Sequence, residues 1–464
     1  MHLLHDMQNM VFSVYARLQG HKGQVLCAAA PEAKAGEALV ATSAEDSTVR
    51  LWDLRDGGAA TPSATSSSPR VAMCLCRCFG GEAVSSVVFG AGSANLLYCS
   101  AGGKVLEFDL RSSGGERALL MTSPAEVLDD GEEDVNELAV HPKGDYLAAA
   151  DDSGKVKVYS TRTRKVEKTL RNAHTNICHA VRFRPRASWD IASGALDSTL
   201  AFWDFSTGRI RRKLNLADDS GVSSASAASA TSPHQLFNPF VHSVDFTEDG
   251  CFLAAGLGDG GVVIVDAKTR ATVGRCDGHS APISQVHYPS FDARLLCSAG
   301  NDRRLLVWDQ RQFEHRSGTS KGASGRGHGD TVDGGACGVS ALRNSRQSGT
   351  KKGRSKGVNR NLKAEERPPG SSAPKTREKG IEDDPEEGSV RAGIDPANGI
   401  KSASDEEGET TAESRDGIVR CSAPLLSMHL EEKPNWVTSL AVPYDAIVIA
   451  DTSSVANILR RQGT

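Results

Sequence analysis

Short apolar runs separated by polar turns recur along most of this chain, and residues 39–55 show the pattern clearly. The first apolar run of this stretch ends at Ser43, and a polar turn follows at Glu45-Asp46-Ser47. A second run then ends in the dipeptide Trp52-Asp53. Two β-prone runs joined by a short polar turn predict a β-hairpin.

The hairpin belongs to a repeat that pairs a histidine with a downstream Trp-Asp dipeptide. His21 precedes Trp52 by 31 residues, and the same pairing recurs twice with a separation of 29 residues. The pairs are His21 with Trp52, His174 with Trp203, and His279 with Trp308. Histidine and Trp-Asp at this separation are typical of the blades of a β-propeller.

Each of these blades also carries an aspartate six residues before its tryptophan. An aspartate in the turn can bind an imidazole, the imidazole can bind a strand hydroxyl, and the hydroxyl can accept the indole N–H. Such a chain satisfies polar groups that are costly to bury unpaired. The predicted structural tetrads are His21, Ser43, Asp46 and Trp52; His174, Ser193, Asp197 and Trp203; and His279, Ser298, Asp302 and Trp308. A hydrolase interpretation of these Ser-His-Asp sets is weaker, because the hydrogen-bond chain gives them a structural role inside the blade.

Strand patterns outside these three blades predict four more, for a total of seven blades. Further strand pairs fall in 83–111, 135–160 and 240–266, and a last pair in 435–459 lacks an outer strand. The isolated apolar run Val11–Leu18 can supply that strand and close the ring, which removes free sheet edges. The sequence therefore predicts an all-β fold, a single seven-bladed β-propeller, with blades one to six and the closing strand in residues 11–311.

A long segment without strand pattern interrupts the repeats between blades six and seven. Residues 343–379 hold 12 Lys/Arg against 3 Asp/Glu, and residues 382–416 hold 12 Asp/Glu against 3 Lys/Arg. Segments rich in charge, Gly, Ser and Pro do not bury enough apolar surface to fold. We expect residues 312–420 to be a disordered, basic-then-acidic insertion, and residues 421–464 to form blade seven.

Composition narrows the class of protein. The 464 residues are 39% hydrophobic, and the formal net charge of −4 gives no nucleic-acid footprint. The sequence contains no run of eighteen apolar residues, so no membrane span is predicted, and the first residues lack the features of a signal peptide. The 11 cysteines form no disulfide framework, which favours a reducing compartment, the cytoplasm or the nucleus.

Cys74, Cys76 and Cys78 allow two interpretations. Their spacing of two could suggest a metal site, but no fourth ligand lies nearby in the sequence. On a strand the same spacing places three small apolar side chains on one face, which explains them more simply. We predict no metal, no cofactor and no enzymatic activity.

The repeats resemble the WD-repeat family throughout the ordered chain. That resemblance implies a non-catalytic protein that binds other proteins. Some similar proteins are proposed substrate receptors of cullin-RING ubiquitin ligases, which dock onto a propeller-built adaptor through a Trp-Asp-x-Arg motif. The corresponding motifs here are Trp52-Asp53-Leu54-Arg55, Trp308-Asp309-Gln310-Arg311 and, with phenylalanine at the aromatic position, Phe108-Asp109-Leu110-Arg111.

The candidate partner-binding residues are Arg111, Arg55, Arg311, Asp53 and Asp109. Each arginine follows the third strand of its blade, where an exposed guanidinium can bind a carboxylate of the adaptor through two hydrogen bonds. The alternative is an exposed arginine paired only with the aspartate of its own blade, an interaction of little energetic value. Arg55 and Arg111 lie on adjacent blades and rank above Arg311.

Two functions fit this sequence. The first is a monomeric substrate receptor of a cullin-RING ligase, with an adaptor and an unknown target as its partners. The second is a general scaffold in a nuclear or ribonucleoprotein assembly, where the basic residues 343–379 make weak contacts with anionic partners. The basic block has few aromatic residues for base stacking, so the sequence does not predict sequence-specific RNA binding.

Overall fold

The strands of the propeller account for most of the part of the chain that the structure describes. The structure is a computed structural model. It describes residues 10–31, 39–55, 70–76, 78–112, 120–121, 123–217, 238–316, 412–413, 418–441 and 444–462.

The regular structure in these residues is almost entirely β. The strands of the first half are β1 (Phe12–Gln19), β2 (Val25–Ala29), β3 (Leu39–Ala44), β4 (Val49–Asp53), β5 (Arg70–Leu75), β6 (Val84–Phe89), β7 (Leu96–Ala101), β8 (Lys104–Asp109), β9 (Leu120–Met121), β10 (Glu126–Asp130), β11 (Val135–Val140), β12 (Tyr146–Asp151), β13 (Val156–Ser160), β14 (Lys165–Leu170), β15 (Cys178–Phe183) and β16 (Asp190–Ala195). Those of the second half are β17 (Thr199–Asp204), β18 (Arg209–Asn215), β19 (Val241–Phe246), β20 (Phe252–Leu257), β21 (Gly261–Asp266), β22 (Ala271–Asp277), β23 (Ile283–His287), β24 (Leu295–Gly300), β25 (Arg304–Asp309), β26 (Ala412–Glu413), β27 (Val419–Cys421), β28 (Leu426–His429), β29 (Pro434–Leu440), β30 (Ala446–Asp451) and β31 (Val455–Arg461). Two 3₁₀ helices, Leu110–Ser112 and Gln310–Arg316, follow β8 and β25.

The strands form seven sheets, which confirms the predicted seven-bladed propeller. Blades one to seven contain β2–β5, β6–β8 with β10, β11–β14, β15–β18, β19–β22, β23–β25 with β28, and β29–β31 with β1. The innermost strands contact one another in turn, and β29 contacts β2, so the ring is closed.

The closing strand lies where the sequence predicts it. β1 pairs antiparallel with β31, from Phe12 opposite Arg461 to Gln19 opposite Val455. Leu18 is fully buried, and Phe12 is 7% exposed. The N-terminal strand thus completes the blade formed by the C-terminal strands.

Burial along the strands follows their position in each blade. All six residues of β20 and all six of β21 are buried, since these middle strands have neighbouring blades on both faces. The outer strands β14 and β18 are mostly exposed and rich in Lys and Arg. Charged outer strands protect the rim against pairing with other chains.

The chain between β25 and blade seven, where the insertion is predicted, also supplies the outer strand of blade six. The chain leaves β25 through the helix Gln310–Arg316 and returns at β26 and β27. It then supplies β28, which pairs antiparallel with β25 as the outer strand of blade six. Regular structure continues past the predicted boundary at 311/312, and residues after the predicted boundary at 420/421 contribute to blades five and six as well as seven.

Both ends of the insertion pack at one place. β27 extends blade five by pairing in parallel with β22, and Phe313 of the 3₁₀ helix is 1% exposed. Phe313 and Cys421 belong to the same apolar cluster as Trp308. Gly274 permits this packing, because a Cβ there would lie 2.3 Å from the Phe313 ring. The predicted basic and acidic blocks, 343–379 and 382–416, lie largely outside the described residues.

Candidate protein-docking sites

In the tetrad of blade four, one serine hydroxyl connects the tryptophan and the histidine. Trp203 Nε1 donates to Ser193 Oγ at 2.8 Å, and the same oxygen lies 2.7 Å from His174 Nε2. His174 Nδ1 lies 2.9 Å from Thr199 Oγ1 and 3.5 Å from Asp197. Ser193 is fully buried and Trp203 is 1% exposed, so the set holds the interior of the blade together.

Blade six repeats the arrangement with a direct contact between histidine and aspartate. Trp308 Nε1 donates to Ser298 Oγ at 2.8 Å, and His279 Nε2 lies 2.9 Å from that oxygen. His279 Nδ1 lies 3.0 Å from Asp302 Oδ1. The indole, hydroxyl and imidazole therefore all find partners in the blade interior.

Blade one has the same network, but its hydroxyl comes from Thr42 and not from the predicted Ser43. Trp52 Nε1 donates to Thr42 Oγ1 at 2.8 Å, and His21 Nε2 lies 2.8 Å from it. His21 Nδ1 lies 3.2 Å from Asp46. Ser43 is buried, and its hydroxyl has no hydrogen-bond partner among the described residues. Successive side chains of a strand face opposite sides, so an error of one residue selects the wrong face.

Blades without a tetrad use other polar contacts that the sequence did not indicate. Tyr159 stands at the tryptophan position of blade three, and its hydroxyl donates to Asp129 of blade two at 2.7 Å. In blade five, Arg275 lies 2.8 Å from Asp259 and 2.7 Å from Asp277. These ion pairs take the place of the missing histidine and tryptophan.

The cysteines at 74, 76 and 78 do not share one strand face, because β5 ends at Leu75. Burial raises the pKa of the Cys74 thiol and raises that of Cys78 to about 11. Among the residues that the structure describes, no group of three or more His, Cys, Asp or Glu side chains is arranged to hold a metal ion.

The arginines of blades one and two form matching pairs with their own aspartates. Arg55 Nε and Nη2 donate to the two oxygens of Asp53 at 2.9 and 2.6 Å. Arg111 donates to Asp109 in the same way at 2.9 and 2.7 Å. The arginine side chains are 61% and 72% exposed. Each guanidinium is thus fixed in orientation while most of its surface faces solvent.

The carboxylates of both pairs are stabilised in their ionised form. The hydrogen bonds from Arg111 lower the pKa of Asp109 to about 2, and those from Arg55 lower the pKa of Asp53. Both pairs therefore stay charged across the physiological pH range.

Arg311 makes the same pair with Asp309, but in more crowded surroundings. Its side chain is 30% exposed, about half the value for Arg55. Arg294 forms an equivalent pair with Asp292 at 2.7 Å, and Arg461 lies 3.1 Å from Asp292. The Asp-x-Arg spacing in Asp292-Ala293-Arg294 could have revealed this second pair in the sequence.

Aromatic side chains adjoin the Arg55 pair where blades seven and one meet. The rings of Tyr15 and Tyr444 lie 6.3 Å apart, and Arg460 lies 5.5 Å from the Tyr15 ring centroid. Burial raises the pKa of Tyr444, and the neighbouring charge of Asp53 raises it further. Tyr15 is 42% exposed. Tyrosine and arginine are the residue types enriched among the strongest contacts of protein interfaces.

Seven side chains, one from the innermost strand of each blade, form a ring around a cavity on the axis of the propeller. The pairing of the first and second strands skips one residue near the start of the first strand in every blade. Such β-bulges redirect the extra side chain. The seven bulge residues are Leu26, Ser85, Asn136, His179, His242, Ser284 and Asn435, and all of them line one cavity of about 310 Å³.

This ring lies on the face away from the Asp-Arg pairs. The first and third strands of a blade run in the same direction, since both pair antiparallel with the second. The bulges are at the start of first strands, whereas Arg55 and Arg111 follow the ends of third strands. The propeller therefore presents two chemically distinct faces, one with exposed charge pairs and one with a polar cavity.

Two histidines of the ring are neighbours. His179 Nδ1 donates to the backbone oxygen of His242 at 2.7 Å, and the two rings lie 5.6 Å apart. Burial lowers the pKa of His179 and lowers that of His242 to about 4, and the neighbouring side chains of His179 and Lys433 lower the pKa of His242 further. Both imidazoles are thus neutral at pH 7 and act as hydrogen-bonding groups.

The fold and its repeated networks define a WD-repeat β-propeller. The family described as WD domain, G-beta repeat matches this chain at residues 12–53, 123–160, 164–204 and 270–309. The chain therefore carries WD40 repeats, as the sequence resemblance implied.

Among individual proteins, the chain is similar to the WD repeat-containing protein 53 homolog of Dictyostelium discoideum. The two are 28% identical over 307 residues, which cover 64% of this chain and 78% of the relative. The histone-binding protein MSI1 of Saccharomyces cerevisiae is 24% identical over 217 residues, 46% of this chain and 47% of that protein. The WD40 β-propeller domain of Doa1 has the same fold, with a TM-score of 0.55, 12% identity and 97% coverage of each chain.

Proposed function

We propose that this WD-repeat scaffold is a substrate receptor that docks onto the adaptor of a cullin-RING ubiquitin ligase through Arg111 and Arg55. WD40 propellers are generally non-catalytic scaffolds for protein interactions. Docking onto the adaptor is supported by two equivalent, exposed Asp-Arg ion pairs on adjacent blades.

The geometry of these pairs suits an adaptor carboxylate. Asp53 and Asp109 hold each guanidinium in place, so less side-chain freedom is lost when a partner binds. The arginines sit at corresponding positions of neighbouring blades, which lets one flat partner surface contact both. Arg311 is more covered and lies on blade six, so it ranks below them.

The opposite face remains available for a target protein. The polar cavity ringed by the seven bulge residues, with neutral His179 and His242, can exchange hydrogen bonds with a peptide. A receptor that binds adaptor and target on separate faces can hold both at once. Its compartment would be the cytoplasm or the nucleus, in keeping with the ten described cysteines, which are unpaired.

The double charge reversal Arg55→Glu with Arg111→Glu tests this proposal. Loss of a desolvated, doubly hydrogen-bonded arginine costs several kcal/mol, so adaptor recovery should fall at least tenfold, on the order of 1.4 kcal/mol or more. The melting temperature should barely change, because both side chains are exposed. The measurement is co-purification of adaptor and cullin with the full-length chain from cells.

A matched control reverses two exposed arginines elsewhere. Arg209→Glu with Arg212→Glu changes the net charge equally on the outer strand of blade four. We expect this variant to keep wild-type recovery of the adaptor. Full recovery by the folded Arg55/Arg111 variant would refute docking at these residues.

A second candidate function is a scaffold in a nuclear assembly. It is favoured by the basic residues 343–379 and by the similarity to a protein named as histone-binding. Replacing Lys351, Lys352, Arg354 and Lys356 by Gln should then reduce recovery of chromatin or ribonucleoprotein components. Affinity purification with mass spectrometry separates the two functions by the set of proteins recovered.

A further inference from the structure

Two cysteines face each other where the insertion returns to the propeller. β22 and β27 run in parallel, and Cys276 of β22 is the register partner of Cys421 of β27. Register partners on adjacent strands point to the same side of the sheet. Cys276 is fully buried and Cys421 is 2% exposed, within the apolar cluster that also contains Trp308 and Phe313.

We propose that Cys276 and Cys421 are a thiol–disulfide modification site, whose disulfide fastens the returning end of the insertion to blade five. Adjacent strands lie about 4.8 Å apart. A disulfide requires Cα atoms about 4.4–6.8 Å apart with converging Cβ atoms. A register pair on one face of a sheet meets that requirement without moving a distant segment.

The local surroundings give the two thiols different pKa values. A hydrogen bond from the Cys276 thiol lowers the pKa of Cys421 to about 7, despite burial. The side chain of Gln312 also lowers the pKa of Cys421. In its neutral form, the Cys421 thiol donates to the carbonyl oxygen of Ala423 at 3.6 Å. The pKa of Cys276 is raised by burial. Cys421 is therefore the more readily ionised thiol at neutral pH, so it reacts first when the returning end of the insertion opens, and Cys276 resolves the intermediate.

The oxidant is a peroxide. Hydrogen peroxide converts the Cys421 thiolate to a sulfenic acid and releases hydroxide. The Cys276 sulfur then attacks the Cys421 sulfur, and the sulfenic oxygen leaves as water with the Cys276 proton. Overall, two thiols and one peroxide yield one disulfide and two waters. A small thiol such as glutathione reverses the reaction by exchange.

The position of the pair gives the disulfide a structural effect. β27 contributes only three residues, and β28, the outer strand of blade six, begins five residues after Cys421. Fixing Cys421 to blade five anchors the chain just before β28. Oxidation therefore stabilises the edge of blade six, and reduction allows the returning end of the insertion to separate from blade five.

The test treats the full-length, reduced protein with hydrogen peroxide, then denatures it and alkylates the remaining thiols with N-ethylmaleimide. Mass spectrometry of the digest should detect the peptides of Cys276 and Cys421 joined with loss of two hydrogens. The melting temperature should rise by roughly 5 °C and return to its starting value with dithiothreitol.

Two variants make the result specific. Cys421→Ser should lose both the cross-linked peptide and the thermal shift. Cys251→Ser removes an exposed cysteine elsewhere in blade five and should keep both. A wild-type protein whose other thiols are oxidised while Cys276 and Cys421 remain alkylated, or are joined to other cysteines, would overturn the proposal.

Discussion

At the residue scale, one hydroxyl in each of three blades bridges a tryptophan indole and a histidine imidazole through hydrogen bonds. Thr42, Ser193 and Ser298 each accept the indole N–H at 2.8 Å. In blade one, burial lowers the pKa of His21, so its ring is neutral at pH 7. A neutral ring accepts from Thr42 and donates to Asp46, which leaves no donor of the network unused.

The substitutions Thr42→Val and Ser43→Ala test this assignment in neighbouring residues. Thr42→Val keeps the shape of the side chain but leaves the Trp52 N–H and a His21 nitrogen buried without a partner. Each unsatisfied group costs about 1–3 kcal/mol, so we expect a loss of about 2–4 kcal/mol of unfolding free energy. Ser43→Ala removes a hydroxyl without a described partner and should change stability by less than about 1 kcal/mol. Urea denaturation measures both.

Equal destabilisation by the two variants would contradict the assignment of Thr42. The sequence already contained the information that distinguishes Thr42 from Ser43. Ser193 and Ser298 precede their tryptophans by ten residues, and the same spacing from Trp52 leads to Thr42. The prediction of Ser43 followed the residue type instead of the spacing, and it therefore selected the opposite strand face.

At the element scale, the sequence predicted the strands whose pattern is strong and local. The apolar run at 11–18 predicted β1, because a ring of blades needs a closing strand. β28 was not predicted, because it has only four residues and more than 100 residues separate it from β25. The bulges in the innermost strands were not predicted either, since a single extra residue leaves little trace in an alternating pattern.

Truncation of the N-terminus tests the closing strand. Removing residues 1–19 deletes Met10, Phe12 and Leu18, which are 5%, 7% and 0% exposed. Burial of three such side chains contributes on the order of 5 kcal/mol, and the truncation also exposes the edge of β31. We expect a markedly lower melting temperature and aggregation, measured by calorimetry and size-exclusion chromatography.

Removal of residues 1–9 is the matched control, because it leaves Met10 and all of β1 in place. Its melting temperature should stay within about 2 °C of the full-length value. If both truncations melted together with the full chain, β1 would contribute nothing to closure.

At the scale of the whole molecule, the insertion interrupts blade six and not the ring of innermost strands. The residues on either side of it, Phe313 and Cys421, pack in one cluster beside Trp308. The two ends of a long segment are thus held at a single place on the rim.

Two deletions test where the insertion begins and ends. Replacing residues 317–411 by a Gly/Ser linker of about ten residues should leave a cooperatively folded protein of wild-type stability, because loop length changes closure cost by only about 0.6 kcal/mol per doubling. Replacing 312–420 also removes Phe313 and most of β27. Loss of a buried phenylalanine costs about 3–5 kcal/mol, so the longer deletion should unfold at a clearly lower denaturant concentration. Circular dichroism during urea denaturation compares them. Matching midpoints would mean that Phe313 and β27 do not stabilise blades five and six, and that the insertion begins at residue 312 as the sequence alone predicted.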